Sequence, residues 1–214
     1  MYDRCFEPID VGGVTIPNRI VRAPHGTRLS GDRLIAYHVA RAKGGVGMST
    51  VSATSVHPNA PGDLPLWHDG CKAFLSELAD AVHTHGMKLF LQIYHPGAGH
   101  AEAANAPEHW SASEIPNPMA GVVPVAISQT QIHDLIAHFA AAARRIRDAG
   151  LDGVDIHASS GYLIHEFLSP ALNQREDDYG GSPENRLRLL KEVIQAVRSE
   201  VGDTDFAVGV RLPN

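Results

Sequence analysis

Five short apolar segments recur along this chain, each separated from the next by an amphipathic helical stretch. That alternation builds a parallel sheet with helices packed against it, and it excludes most other ways of burying this much apolar surface. The strand candidates are Arg19–Ala23, Val46–Ser52, Lys88–Tyr94, Gly153–His157 and Phe206–Arg211. The first helix runs roughly over Asp32–Lys43 and stops at Gly44-Gly45; the second runs over Lys72–His85 and stops at Gly86. The third follows Ser128-Gln129-Thr130-Gln131, whose types and spacing suit a capping box. Its Ile132, Leu135, Ile136, Phe139, Ala143 and Ile146 recur at helical spacing, and Gly150 ends it. The fourth opens at Ser182-Pro183-Glu184, where Ser can cap and Pro fits the first turn. It carries Leu190, Val193, Ile194, Val197 and Val201 on one stripe. Residues 96–124 are rich in Pro and Gly and have no period of either kind. They read as one long loop on the active face, with room for a small hairpin.

Composition narrows the function classes. Of the 214 residues, 43% are apolar and 20% charged, as in an ordinary globular protein. A net charge of −6, with no Lys/Arg-rich patch, argues against nucleic acid as a partner. No apolar run is long enough to span a bilayer, and the opening MYDRCFEP has no signal-peptide core. Cys5 and Cys71 are too few and too scattered for a disulfide framework or metal cluster, and read as the reduced thiols of a cytoplasmic protein. The 13 histidines are dispersed, with no pair in a zinc-type motif, so no metal site is expected.

The run from Asp152 to Arg186 carries the chemistry. It starts as a short apolar strand and breaks into a loop dense with His157, Ser159, Ser160, Gly161, Tyr162, Asn173, Arg175, Asp177, Asp178 and Tyr179. A polar loop at the C-terminal end of a buried strand is where an α/β barrel keeps its active site. His157, five residues before Tyr162, puts two hydrogen-bonding groups over one small area.

Five strand–helix repeats are five-eighths of a (β/α)₈ barrel, which typically takes ~250 residues or more. Five strands cannot close the cylinder, and the first and fifth each keep an open edge. The expectation is a barrel sequence cut short after its fifth strand; the alternative is a half-barrel that closes against a partner.

The stretch HASSGYLIHEFLSPALNQREDDYGGSPENR resembles the signature loop of the flavin-dependent ene-reductases, the old yellow enzyme and 2,4-dienoyl-CoA reductase family of NADH:flavin oxidoreductases. NRIVRAP at Asn18–Pro24, SATSVHP at Ser52–Pro58, LQIYHPGAGH at Leu91–His100 and VGVRLP at Val208–Pro213 fall in that family's order and spacing. The resemblance therefore covers nearly the whole chain. It implies an α/β fold, the (β/α)₈ TIM barrel of the FMN-dependent ene-reductase type, with residues 1–214 as a partial FMN-binding barrel.

It also implies roles. Tyr162 would protonate the substrate α-carbon, opposite the face that receives hydride. His157 would donate to the substrate carbonyl, an oxyanion-type contribution often worth ~3 kcal/mol. The family's second donor, His or Asn, is replaced by Ser160, a shorter group, which bears on the substrate class. Gln92 would meet the flavin pyrimidine edge with a donor and an acceptor. Arg211 would sit near flavin N1 and O2 and stabilise the anionic reduced ring, or else pair with an Asp on a neighbouring strand. Pro24, His25 and Gly26 follow strand one, where backbone would cradle the ring. Ala53, after strand two, would allow its close approach. Asn173, Arg175, Asp177 and Tyr179 read as a hydrogen-bonded loop that holds Tyr162.

No Gly-x-Gly-x-x-Gly follows any strand, so no Rossmann-type nucleotide site is visible. The barrel's phosphate loops follow strands seven and eight, so the FMN phosphate has no predicted anchor here. The implied activity is FMN-dependent reduction of an activated C=C bond in a small-molecule substrate, with NADH or NADPH as reductant and Tyr162 as proton donor. The alternatives are oxidative N-demethylation of a small amine or betaine and, from another class, a catalytically silent barrel fragment or binding module. No membrane or nucleic-acid partner is expected, and self-association into a homo-oligomer is left open.

Overall fold

The computed structural model describes residues 3–60, 62, 64–98, 108–116, 122–202 and 205–213. Among these, a short 3-10 helix (Asp3–Phe6) precedes two three-residue strands, β1 (Ile9–Val11) and β2 (Val14–Ile16), followed by β3 (Val21–Arg22) and helix α1 (Gly31–Lys43). Then come β4 (Met48–Ser55), α2 (Lys72–His83), β5 (Lys88–Tyr94), β6 (Trp110–Ser111), β7 (Val125–Ala126) and α3 (Gln129–Asp148). The remainder is β8 (Gly153–His157), α4 (Leu163–Leu168), α5 (Pro183–Arg186), α6 (Arg188–Val201) and β9 (Ala207–Arg211).

The main sheet has the order β3-β4-β5-β8-β9, parallel throughout, so each crossover advances one strand along the sheet. Side chains alternate across it. On β5, Leu89, Leu91 and Ile93 join the large core beneath α2, α3 and α6, whereas Phe90 belongs to a second, smaller cluster on the other face. The helices form as their sequence dictates. The Ser128 hydroxyl accepts from Gln131 N–H while Gln131 Oε1 accepts from Ser128 N–H, which closes the expected capping box at α3. Ile132, Leu135, Phe139, Ala143 and Ile146 are buried, with Ile136 only half-buried. Ser182 caps as expected, but its helix is the four-residue α5; the chain bends at Leu187 before α6 carries the apolar stripe.

The smaller cluster was not foreseen. The β1–β2 hairpin turns at Gly12 and Gly13, with φ of 60° and 89°, and places Val14 and Ile16 against Phe90 and Ala207. It covers the N-terminal end of the sheet's inner face, opposite the strand ends at His157 and Arg211. Within the described part of this segment Trp110–Ser111 pairs in parallel with Val125–Ala126; residues 99–107 and 117–121 lie outside the described residues, and the expected small hairpin falls with them. No helix among the described residues is long and apolar enough to cross a membrane.

Candidate active site

Parallel register sets the site. His157, the last residue of β8, is paired with Arg211, the last of β9, so the two share the C-terminal edge of the sheet. Gln92 of β5 is paired with Asp155 of β8, and its amide donates to Asp155 Oδ2 at 2.7 Å. After His157 the chain reverses through two consecutive residues of positive φ, Ser160 (63°) and Gly161 (81°). The reversal returns Tyr162 to His157, with ring centroids 4.6 Å apart and planes at 70°. Tyr94, at the end of β5, meets the same phenol edge-on at 4.7 Å. Tyr162 is then clamped: Leu163 N–H donates to the His95 carbonyl at 3.1 Å, and Glu166 N–H to the Tyr162 carbonyl at 2.9 Å.

The electrostatics follow from burial. His157 is buried, and its Nδ1 accepts from Ser159 N–H at 3.4 Å. A neutral ring held this way carries its proton on Nε2 and can donate there. Burial raises the Asp155 carboxyl above its ordinary value, against the Gln92 hydrogen bond and the Arg211 charge, which lower it. Arg211 therefore bears on an aspartate of the neighbouring strand while remaining exposed.

The sequence-predicted residues divide between two hollows. Pro24, Ser160 and Arg211 line an open cavity of about 800 Å³ on the inner face, together with Asp155 and Gly209. Gly26, Ala53 and Tyr162 line another of about 620 Å³. Gln92 is buried beside the first through Asp155. The His25 ring is engaged elsewhere: its Nδ1 shares a hydrogen bond with Arg22 at 2.7 Å, and it meets Tyr37 edge-on. Ala53 does not follow its strand; β4 continues to Ser55 through a register shift between Val51 and Thr54, and Ala53 lies in that irregularity.

Asn173, Arg175, Asp177 and Tyr179 are joined as expected of a supporting loop. Asn173 Nδ2 donates to the Phe167 and Tyr179 carbonyls, both at 2.7 Å, and Arg175 grips Asp177 through two nitrogens, at 2.9 and 2.6 Å. Tyr179 O–H donates to Glu192.

Three buried polar groups were missed, because nothing in residue type marks a charged or imidazole side chain as enclosed. His95 stacks on Trp110 and accepts from Gly97 N–H, and burial depresses its pKa to about 3. His57 Nε2 bonds Asp134 Oδ2 at 2.9 Å, with His138 close by, a trio of metal-ligand type. His57 Nδ1 accepts from Asn59 N–H, so the neutral ring's proton lies on Nε2 and is donated to Asp134. Helix spacing of Asp134 and His138 was the only signal available for that trio.

Glu166 is the third. Ala98 N–H donates to its Oε1, and a side chain at Gly97 would collide with its carboxylate oxygens at 2.7 Å. Burial raises its pKa to about 7, against the hydrogen bonds from Ala98 and Ser111. Because the folded value exceeds the unfolded one, the stability linked to this proton is present at acid pH and lost as pH rises through about 7. Glu166→Gln keeps an acceptor for Ala98 without titrating. Between pH 5 and pH 8 the wild type is expected to lose about 1–3 kcal/mol that the variant retains. Urea unfolding at both pH values measures this; parallel losses in the two proteins would contradict it.

Comparison with known proteins bears on the whole site. The family described as NADH:flavin oxidoreductase / NADH oxidase matches residues 4–214. An N,N-dimethylglycine/sarcosine dehydrogenase of Chromohalobacter salexigens is 37% identical over 99% of this chain and 32% of its own length. An NADPH dehydrogenase of Listeria monocytogenes is 36% identical over 96% of this chain and 65% of its own. Among solved structures, a 2-naphthoyl-CoA reductase in complex with 2-naphthoyl-CoA superposes with a TM-score of 0.87 at 31% identity, over 99% of this chain and 35% of that one. The chain thus spans between about a third and about two-thirds of the relatives it resembles.

Proposed function

Because the chain belongs to the NADH:flavin oxidoreductase / NADH oxidase family, we propose that it forms the catalytic half of an FMN-dependent, NAD(P)H-consuming enzyme that reduces an activated C=C bond. The observation that carries this reading is the meeting of His157 and Tyr162 at 4.6 Å on the strand-end face, beside a cavity lined by Pro24, Ser160 and Arg211.

The donor set fits the ring of FMN. The cavity, about 800 Å³, is within the range of cofactor sites. It joins a permanent cation, Arg211, to the Gln92–Asp155 amide–carboxyl pair, and Gly209 on its wall adds no side chain. Bound there, FMN supplies hydride chemistry; the protein supplies position and charge. Arg211 would balance negative charge at the pyrimidine edge, and Gln92 would orient that edge. His157, with its proton on Nε2, would donate to the substrate carbonyl oxygen as charge develops on it. Tyr162 would deliver its phenolic proton to the α-carbon, and Tyr94, edge-on to it, would keep water from that side.

A second reading, oxidative N-demethylation of a small amine or betaine, is favoured by one observation. Ser160 supplies a hydroxyl where C=C reduction benefits from a longer donor, and a dehydrogenase of N-methylated glycines is among the similar proteins. Stopped-flow reduction of the FMN-loaded full-length protein separates the two. Bleaching of the flavin by NADH or NADPH, followed by reoxidation with a cyclic enone, is expected. Bleaching by N,N-dimethylglycine but by neither nicotinamide would select the second reading. A polypeptide that takes up no FMN would leave a binding module instead.

A further inference from the structure

The cavity of about 620 Å³ that reaches Tyr162 is lined by apolar groups, among them Leu34, Val51, Leu64, Phe74 and Tyr94, and by the neutral hydroxyl residues Thr27, Ser30, Ser52, Thr54 and Ser55. Among the described residues that line it, Arg28 is the one charged side chain, and no carboxylate accompanies it. Arg28 forms no hydrogen bond or ion pair with a described residue, whereas Arg22, Arg145 and Arg175 are each tied to carbonyls or carboxylates. Its backbone is held at a φ of 57°, in a loop where Leu29 N–H donates to the Thr27 hydroxyl at 3.2 Å.

We propose that Arg28 binds a carboxylate carried at the far end of the substrate, so that the preferred substrates are acids whose apolar body lies between Arg28 and Tyr162. This rests on the reading of Tyr162 given above and extends it to substrate class. The apolar part of this lining discriminates weakly between similar hydrocarbon bodies. A guanidinium at its rim adds a charge-assisted, bidentate contact that only an anionic end group can use. An acid placed with its carboxylate on Arg28 would keep the carbonyl that activates its C=C bond toward His157, and a neutral analogue would lose that orientation.

Two substrate pairs test this in the FMN-loaded full-length protein. The saturated pair is a cyclohexanone with a carboxylate-ended alkyl tail and its methyl ester, which bind but cannot react; the corresponding 2-cyclohexenones report turnover. Calorimetry is expected to give the acid about tenfold tighter binding than the ester. Arg28→Gln should abolish that gap and Arg28→Lys should keep most of it, with circular dichroism verifying the fold of both. A gap that survives in Arg28→Gln, or that is absent in the wild type, overturns the assignment and leaves Arg28 a solvated surface residue. Failure of both enones to reoxidise the reduced flavin would instead overturn the reading of Tyr162, and the binding gap would still decide the role of Arg28.

Discussion

Replacing Tyr162 with Phe is expected to slow reoxidation of the reduced flavin by a cyclic enone by about 10²–10⁴-fold, while leaving its reduction by NAD(P)H nearly unchanged. The phenol is held by its ring contacts and by the two backbone bonds that flank it. Phe keeps the ring contacts with Tyr94 and His157 and removes the hydroxyl together with its proton. A loss confined to the second half-reaction therefore isolates proton delivery from folding and from flavin binding. Stopped-flow absorbance resolves the two halves, and equal slowing of both would show that Tyr162 positions the site without donating.

The second large effect falls on stability. Arg175→Leu is expected to lower the unfolding free energy by about 2–4 kcal/mol and the melting temperature by roughly 5–15 °C. The guanidinium donates to the Ala112 and Ile127 carbonyls at 3.1 and 2.7 Å and lies 5.6 Å from the centre of the Phe167 ring. It also holds Asp177 below the usual carboxylate range. Leu fills similar space but strands two carbonyls and the carboxylate. The loop is packed closely enough that a Cβ at Gly180 would lie 2.2 Å from the Arg175 carbonyl oxygen. Thermal unfolding by circular dichroism measures the change; a shift under about 2 °C would mean that water replaces the lost donors.

What sequence alone disclosed followed from periodicity and capping. Strands Lys88–Tyr94 and Gly153–His157 end where residue type says they should, because long apolar runs bounded by Gly and polar residues leave little freedom. The 128–131 cap was equally plain, since its partners are three residues apart. The β1–β2 hairpin was invisible: three residues per strand are too few for alternation to register, and the hairpin exists because Phe90 and Ala207 need cover. Helix α4, six residues without a side-chain cap bond, is set by the Tyr162 clamp. At the site, resemblance pointed to His157, Tyr162 and Arg211, but the enclosure of Asp155 and Glu166 depends on neighbours distant in the chain. Residue type cannot report that.

Position 160 answers to two demands at once. Its backbone lies in a region that Asn and Gly enter more readily than Ser, and its side chain stands beside Ser159 in the turn between His157 and Tyr162. An exchange to Asn there would relieve torsion and install an amide donor in one step, so any gain in heat tolerance and any gain in turnover would arrive together. Gly relieves the torsion without supplying a donor. Comparing the two exchanges tells an engineer which demand the natural serine was meeting.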